Sequence, residues 1–358
     1  MSEQRRLLAE MVERLFQDAS SEVAAVATGW NQPLWEQVEE LGIPLLMASE
    51  EAGGLNGGWE DAIVVLQALG RHSVALPVAE AMLAVRLLSS AGMALPAGKC
   101  SVAPRTEGSL THDMQTGTWR FSGTAYGVPW GVSVDHIVAV ISEQNEARVV
   151  LLPCEAAHDV LGKQNLAGEP RDTLSFEHVE VLVSPSSAME AGHLWDFCAL
   201  LRVGQIAGAL ETALSMSVQY AQERSQFGKP IGKFQAVQQQ LALFGNEAAA
   251  VACAARAACR AADRMVPEFE IAAAKLRANI AVNASTAIAH QVHAAIGFTH
   301  EYDLRHSTQR LWSWRTEFGN DRFWSERLGG AIAAGGADTF WSGITARGDL
   351  VAAPATAS

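Results

Sequence analysis

The chain has 358 residues, of which 49% are hydrophobic and 18% are charged, and its 39 acidic and 26 basic residues give a net charge of −13. This composition is too apolar and too weakly charged for an intrinsically disordered protein, and the length predicts roughly two or three domains. The acidic balance argues against a nucleic-acid-binding surface, which would need a basic stripe. Local arginines or helix N-termini can still bind a polyphosphate ligand on such a protein.

The five cysteines are scattered along the chain, with no C-x-x-C pair and no spacing typical of a metal site. This usage indicates buried thiols in a reducing cytoplasm and predicts no bound metal. The N-terminal sequence MSEQRRLLAEMVERLF is charged throughout and lacks the apolar core of a signal peptide. Charges or glycines also interrupt the apolar stretches before the ~20 residues that a membrane span needs. We therefore predict a cytoplasmic protein without a membrane span.

Residues 1–99 have the pattern of a helical domain. Leu7 and Met11 lie on one face at helical spacing, and further apolar residues continue that face. A glycine-rich loop, Glu50 to Gly58, is followed by two more helical patterns. We expect this region to form an N-terminal helical domain.

The composition changes over residues 100–188, where short β-branched runs are separated by Gly, Pro, Asn and Asp. Thr118 to Thr124 partly alternates between apolar and polar residues, as antiparallel strands do. Helical composition returns over residues 189–345, where the fifteen residues 248–262 include ten alanines and predict a closely packed helix. Residues 346–358 are predicted to form a frayed tail.

The segment Glu223 to Ala242, ERSQFGKPIGKFQAVQQQLA, contains the most informative pattern in the chain. Arg224 and Gln226 stand at a predicted helix end and turn, where their side chains can reach outward. Gln235 and Gln238 lie three residues apart, on one face of the next helix. An arginine with several amides suits a ligand that carries phosphate and a base. The alternative interpretation is a plain helix–turn–helix hairpin with a polar turn.

This segment resembles the Arg-x-x-Phe-Gly-x-Pro-Ile-x-x-Phe-Gln signature of the acyl-CoA dehydrogenase family. Two further segments resemble family motifs in the expected order: LGIPLLMASEEAGGLNG (Leu41 to Gly57) and QVHAAIGFTHEYDL (Gln291 to Leu304). The resemblance covers nearly the whole chain. It implies a mainly α, α+β fold with an N-terminal helical domain, a middle antiparallel β-barrel and a C-terminal four-helix bundle.

The resemblance also implies FAD as the cofactor, an acyl-CoA thioester as the substrate and electron-transfer flavoprotein as the electron acceptor. In that family, FAD lies between the barrel and the bundle and reaches across a subunit interface, so a homo- or hetero-oligomer is expected. A carboxylate removes the α proton of the thioester while the β hydrogen leaves as hydride to the flavin. By position, the residues expected to contact FAD are Arg224, Gln226, Phe227, Phe234, Gln235, Gln291, Ala294 and Ala295.

The catalytic base is where the sequence departs from the family pattern. The slot of the commonest base, a Glu directly before a Gly, holds Phe318 and Gly319. Glu317 stands one residue early and is the candidate base; the alternative is a solvated glutamate beside Arg315. The family's second base position aligns with Cys198, and a thiol cannot replace the carboxylate there.

The motifs that face the flavin are altered as well. The usual aromatic-x-Thr is replaced by Gly127-Val128-Pro129, and the Gly-Gly pair after Gln291 is Ala294-Ala295. The chain is thus similar to bacterial members that form heteromeric steroid-type enzymes, in which one subunit type carries the base. The leading hypothesis is FAD-dependent α,β-dehydrogenation of an acyl-CoA, as a homomer or as one subunit of a heteromer. The alternatives are a catalytically silent partner that completes the FAD site, and a flavin oxidase or monooxygenase of the same fold.

Overall fold

The structure is a computed structural model, and it describes residues 2–22, 29–143, 146–185, 193–264 and 267–352. The chain forms two compact units, one built from residues 1–65 and 74–198 and the other from residues 66–73 and 199–358.

The N-terminal region is helical, as predicted, and its described residues form α1 (Glu3–Glu22), α2 (Gln32–Glu40), α3 (Trp59–Arg71) and α4 (Val78–Ser90). The start of α2 is fixed by Asn31, whose side-chain oxygen accepts a hydrogen bond from the Leu34 amide at 3.1 Å. The glycine-rich loop before α3 folds back on itself. A Cβ on Gly54 would overlap the carbonyl group of Ala48, so this turn needs glycine.

The middle region is a seven-stranded sheet in the order β1-β4-β5-β7-β3-β2, with β6 paired to β7. The strands are β1 (Cys100–Val102), β2 (Arg105–Asp113), β3 (Thr118–Pro129), β4 (His136–Glu143), β5 (Glu146–Pro153), β6 (Asp159–Leu161) and β7 (Arg171–Val183). Neighbouring strands are antiparallel except for the parallel pair of β1 and β4. The core of the sheet is apolar, with Phe121, Ile137 and Leu174 among its buried side chains.

The antiparallel strands predicted for the middle β-barrel are present, but those that the structure describes do not close into a barrel. Among the described strands, β1 and β2 end the strand order and no pairing joins them. The physical reason lies in β2, of which only Leu110 is buried and which otherwise consists mainly of polar and charged residues. Such a strand forms a solvated edge of the kind that proteins use to prevent further pairing.

The remaining helices follow in chain order: α5 (Leu194–Glu223), α6 (Gln235–Asp263), α7 (Glu268–His293), α8 (Leu304–Thr316), α9 (Asp321–Gly335) and α10 (Phe340–Ala352). Two short strands, β8 (Ser225–Gln226) and β9 (Lys229–Pro230), form a hairpin between α5 and α6. The alanine-rich stretch is helical, as predicted, and lies in α6, which packs along α7. All five cysteines are free. Cys100, Cys198 and Cys259 are buried as predicted, whereas Cys154 is half-buried and Cys253 is exposed on α6.

By length and composition, α5 is the one helix among the described residues that could cross a membrane. However, 83% of its apolar window is buried inside the protein, which is the pattern of a core helix.

Residues 346–352, predicted to belong to a tail, continue α10, and Arg347 ties this helix to α7. Its Nε and Nη2 atoms donate to the carboxylate of Glu270 on α7, both at 2.8 Å. The rest of the predicted tail, residues 353–358, lies outside the described residues.

Two glycines allow the end of α3 and the middle of α5 to meet at backbone contact within the second unit. A Cβ on Gly70 would overlap the carbonyl oxygen of Gln205, and a Cβ on Gly208 would overlap that of Gln67. The hydroxyl of Thr212 donates to the carbonyl oxygen of Arg71 at 2.8 Å and so caps the end of α3.

Candidate functional site

The hairpin between α5 and α6 presents an aromatic side chain to solvent. Gln226 pairs with Lys229 across a two-residue turn in which Phe227 and Gly228 have φ angles of +51° and +79°. A turn with two positive φ angles favours Asn or Gly at the first position, so a bulky residue there is unusual. The side chain of Phe227 is 93% exposed. The turn thus holds a large apolar ring outward into solvent.

Five of the predicted FAD-binding residues lie together on this segment. Arg224 and Gln226 are exposed, and the rings of Phe227 and Phe234 meet edge to face with centroids 6.2 Å apart. Gln235 is the first residue of α6, and it too is exposed.

The start of α6 is open to an anion. Its N-cap residue, Phe234, forms no side-chain cap hydrogen bond, so the first amide groups of the helix have no side-chain partner at the cap. Lys229 places Nζ 4.4 Å from the centre of the Phe234 ring. The uncapped N-terminus, Arg224 and the neighbouring lysines can together bind a phosphate group.

Gln291, Ala294 and Ala295 lie at the end of α7, where all three are exposed. Ala294 ends the helix with φ +53° and ψ −138°. This is close to a backbone region that is essentially restricted to glycine, and holding an alanine there costs about 1–3 kcal/mol. Ala294 therefore adopts a backbone conformation typical of glycine although it carries a methyl group.

Ala294→Gly is expected to raise the free energy of unfolding by about 1 kcal/mol or more, because glycine relieves this strain. Chemical denaturation of the two proteins measures the difference. Ala284, which is exposed in the middle of α7, is the matched control. Ala284→Gly should lower stability by about 0.5–1 kcal/mol, the usual cost of glycine in a helix. A loss of stability in both variants would contradict the strain at Ala294.

Two histidines beside this helix end are packed into aromatic stacks. The ring of His290 lies 4.3 Å from Phe298 and 5.4 Å from Trp312, centre to centre, and His293 stacks on Tyr220 at 4.7 Å. Burial lowers the pKa of both imidazoles. They therefore act here as neutral packing groups.

Glu317, the candidate base, caps the end of α8 and is tied to a buried arginine. Its side chain is 14% exposed, and its Oε2 accepts a hydrogen bond from Nε of Arg202 at 2.6 Å. The side chain of Arg202 is 2% exposed and also donates to Oε1 of Gln205 at 2.6 Å. The alternative interpretation, a solvated glutamate beside Arg315, is wrong, because Arg315 pairs with Asp321 at 2.6 Å instead.

The next residues hold the same segment in place. Phe318 has a φ angle of +56° and is buried, with the Arg202 guanidinium 5.3 Å from the centre of its ring. Nε1 of Trp324 donates to the carbonyl oxygen of Phe318 at 3.0 Å. Gly319 has a φ angle of +107°, and a Cβ there would lie 2.7 Å from Phe323. Beneath the segment, Lys275 on α7 is fully buried.

Neither Arg202 nor Lys275 was predicted from the sequence. Arg202 is the one charged residue between Asp196 and Glu211, inside a run that is otherwise mainly apolar. Lys275 interrupts the apolar stretch IAAAKLRA at a position where neighbouring residues pack inward. A charge on an apolar helix face predicts a buried pair or a satisfied donor, and that signal could have located both residues.

The other departures from the family pattern lie in the first unit. Cys198, which takes the second base position, is fully buried. Pro129 occupies a position where the family has threonine, and its carbonyl oxygen accepts a hydrogen bond from the Ser101 hydroxyl at 2.7 Å. The next residue, Trp130, is buried with a φ angle of +58° and packs against Trp30, centre to centre 5.9 Å.

Comparison with known proteins identifies the family. The model "Acyl-CoA dehydrogenase, N-terminal domain" matches residues 2–94, and "Acyl-CoA dehydrogenase, C-terminal domain" matches residues 197–324. The acyl-CoA dehydrogenase IpdE2 of Mycobacterium tuberculosis is 31% identical over 318 residues, which cover 84% of this chain and 89% of the relative. The chain belongs to the acyl-CoA dehydrogenase family. The resemblance seen in the sequence is thereby confirmed.

Solved acyl-CoA dehydrogenase structures share the fold. The ChsE4-ChsE5 complex from Mycobacterium tuberculosis matches with a TM-score of 0.81 and 20% identity, covering 94% of this chain and 99% of the other. The Tcur3481-Tcur3483 steroid ACAD variant also gives 0.81, with 22% identity and coverage of 93% and 98%. The predicted order of N-terminal helices, middle sheet and C-terminal helices is therefore that of acyl-CoA dehydrogenases, with an open sheet in place of the barrel.

Proposed function

We propose that this chain is one subunit of an FAD-dependent enzyme that dehydrogenates an acyl-CoA thioester between its α and β carbons. In the assembly it completes the FAD site, while a partner subunit of the same family supplies the catalytic base. Similarity to a steroid acyl-CoA dehydrogenase supports a substrate from steroid or lipid degradation, processed in the cytoplasm with electron-transfer flavoprotein as the acceptor. The observation that carries the proposal is the ion pair of Glu317 with Arg202.

A base for this reaction must reach the α proton at hydrogen-bond distance. Glu317 could do so only by leaving Arg202, whose buried guanidinium would then lose the carboxylate that balances its charge. Breaking a buried pair in this way costs about 3–5 kcal/mol. Glu317 is therefore a structural carboxylate in this proposal, and the proton is removed by a carboxylate of the partner subunit.

The exposed hairpin fits the nucleotide part of FAD. Arg224 can bind the pyrophosphate through two parallel hydrogen bonds, and the uncapped start of α6 supplies backbone donors for the same anion. Gln226 and Gln235 offer amide groups, and Gln291 extends the polar set from the end of α7. When bound, FAD supplies the acceptor for the hydride that leaves the β carbon. The exposure of Phe227 supports an arrangement in which a neighbouring subunit covers the hairpin.

Glu317→Gln tests which subunit carries the base. Glutamine keeps the size of the side chain and an oxygen that can accept the Arg202 hydrogen bond. We expect the assembly of this variant with its partner subunit to keep its rate of flavin bleaching by acyl-CoA within about twofold. A loss of ~10²–10⁴ in that rate, the usual value of a general base, with FAD still bound, would contradict the proposal and make Glu317 the base.

Arg224→Ala is expected to lower the affinity of the assembly for FAD by about tenfold to a hundredfold. The variant loses a charge-assisted contact of roughly 1.5–3 kcal/mol, and each 1.4 kcal/mol corresponds to a factor of ten. Titration of the apo-assembly with FAD measures the change. Arg322→Ala is the control, because Arg322 is exposed and pairs only within α9, with Glu326 at 2.7 Å. Equal FAD affinity in the two variants would show that Arg224 does not contribute to FAD binding.

A further inference from the structure

Lys275 is fully buried in the middle of α7, where a charged group is costly unless its donors are satisfied. Its Nζ atom lies among four oxygen acceptors, and none of them belongs to a carboxylate. The acceptors are Oδ1 of Asn279 at 2.7 Å and the carbonyl oxygens of Arg315 at 2.9 Å, Trp314 at 3.1 Å and Gly319 at 3.3 Å.

Three of these acceptors belong to the segment that carries Glu317. The carbonyl groups of Trp314 and Arg315 lie in the last turn of α8, where a helix has no backbone donors left for them. A basic side chain at this point also complements the helix dipole. Gly319 lies on the far side of Glu317, so one amine holds both ends of the turn.

Asn279, one helical turn after Lys275, reinforces the same contact. Its amide oxygen accepts from Nζ, and its Nδ2 donates to the carbonyl oxygen of Gly319 at 3.2 Å. The two α7 residues therefore form a connected polar patch under the turn. The rest of the turn is held by Arg202 on α5 and Trp324 on α9.

We propose that Lys275 is a positioning residue that holds the segment from Trp314 to Gly319 against α7 and thereby presents Glu317 to Arg202. Without its amine, three carbonyl groups, one buried and two partly buried, would lose a donor at once. The turn would then leave its present shape, and the ion pair of Glu317 would lose its alignment. This role is independent of which subunit supplies the catalytic base.

The charged groups around Lys275 and its burial change its pKa, so the pH dependence of stability offers a second measurement. Burial lowers the pKa of Lys275 to about 7; the carboxylates of Glu317 and Asp321 oppose this shift, and the guanidinium groups of Arg202 and Arg315 add to it. Helix α6 also packs on α7, but its Glu247 pairs with Arg277.

An unfolded lysine titrates near pH 10.4. Between about pH 7 and that value, the unfolded chain therefore binds one more proton than the folded chain at this residue. The contribution of Lys275 to the free energy of unfolding must then rise with pH across this window.

The test compares the full-length Lys275→Met variant with the wild type and with Arg277→Met, which removes a partly exposed cation from the same helix. Hydrogen exchange followed by mass spectrometry should show at least tenfold faster exchange for peptides within residues 313–324 in Lys275→Met. The same peptides should exchange at the wild-type rate in Arg277→Met.

Denaturant unfolding gives the pH readout. The ratio of the unfolding equilibrium constants of Lys275→Met and wild type should grow about tenfold per pH unit between pH 7.5 and 9.5, because one proton is involved. Other titrating groups are common to both proteins and cancel in this ratio. Unchanged exchange over residues 313–324 in Lys275→Met would overturn the proposal.

If Lys275→Met does not fold, Asn279→Ala keeps the question open to measurement. It removes one of the two side-chain donors to Gly319 and one acceptor of Lys275, so exchange over residues 313–324 should still accelerate several-fold. Exchange at the wild-type rate in that variant would equally overturn the proposal. None of these measurements needs FAD, substrate or a partner subunit, so the result is separate from that of the Glu317→Gln experiment.

Discussion

Arg202→Met is expected to lower the free energy of unfolding by about 3–5 kcal/mol, which is the cost of breaking a buried ion pair from one side. Methionine fills much of the volume of the arginine side chain. It leaves the Glu317 carboxylate without its 2.6 Å partner in a site where only 14% of its side chain reaches water. Gln205 loses the same donor. Denaturant unfolding at neutral pH measures the loss.

Two further variants separate the effect of burying the ion pair from the effect of losing a charge. Arg71→Met removes an ion pair of equal length, Arg71 to Glu211 at 2.6 Å, in which the glutamate is 61% exposed. It should cost at most about 1 kcal/mol. The double variant Arg202→Met/Glu317→Leu, which replaces the buried pair by apolar side chains, should recover most of the stability. Equal losses for Arg202→Met and Arg71→Met would show that burial does not strengthen the Glu317 pair.

Gly208→Ala is expected to cost about 3 kcal/mol or more, at the upper end of the usual range for overpacking. The added Cβ would overlap the carbonyl oxygen of Gln67 and would lie 2.8 Å from the amide nitrogen of Arg71. Both of these atoms belong to the backbone of α3, so no side-chain rotation can relieve the clash. The helices must move apart, and thermal or denaturant unfolding should register the change.

Gly245→Ala is the matched control for this substitution. Gly245 lies in α6, and a Cβ built on it meets no atom within 4 Å. Alanine should therefore raise stability by about 0.5–1 kcal/mol through its higher helix propensity. If Gly208→Ala were stabilising as well, the close crossing of α3 and α5 would be contradicted.

Local sequence patterns predicted the helices and strands of this fold. They could not predict which distant strands pair with one another. The alanine content of residues 248–262 and the apolar spacing around Leu7 identified helices because these signals act within a few turns. Whether the predicted β-barrel closes could not be read from these patterns, because closure depends on whether the two edge strands meet. The solvated pattern of β2 was present in the sequence, but its position at an edge was not.

The candidate site shows the same limit at the level of single residues. Glu317 was found by counting from a family motif, but its partner Arg202 is 115 residues away in the sequence. Periodicity cannot connect such residues. The sequence showed at Ala294 only that alanine replaces a glycine of the family motif, because a positive φ angle cannot be read from one sequence. The roles assigned to the FAD-binding residues remain predictions.

The second unit is built from two parts of the sequence that lie far apart, and this affects how the chain can fold. Its helices include residues 66–73, which are separated from the remainder, 199–358, by the whole β-sheet region. The hydrogen bond from Thr212 to Arg71 closes a loop of 141 residues. A fragment that starts at residue 199 would leave the glycine-lined surface of α5 bare, and we expect it to aggregate rather than fold alone. During synthesis, this early helical segment must wait for most of the chain before its contacts can form, so its closure should be a late and slow step.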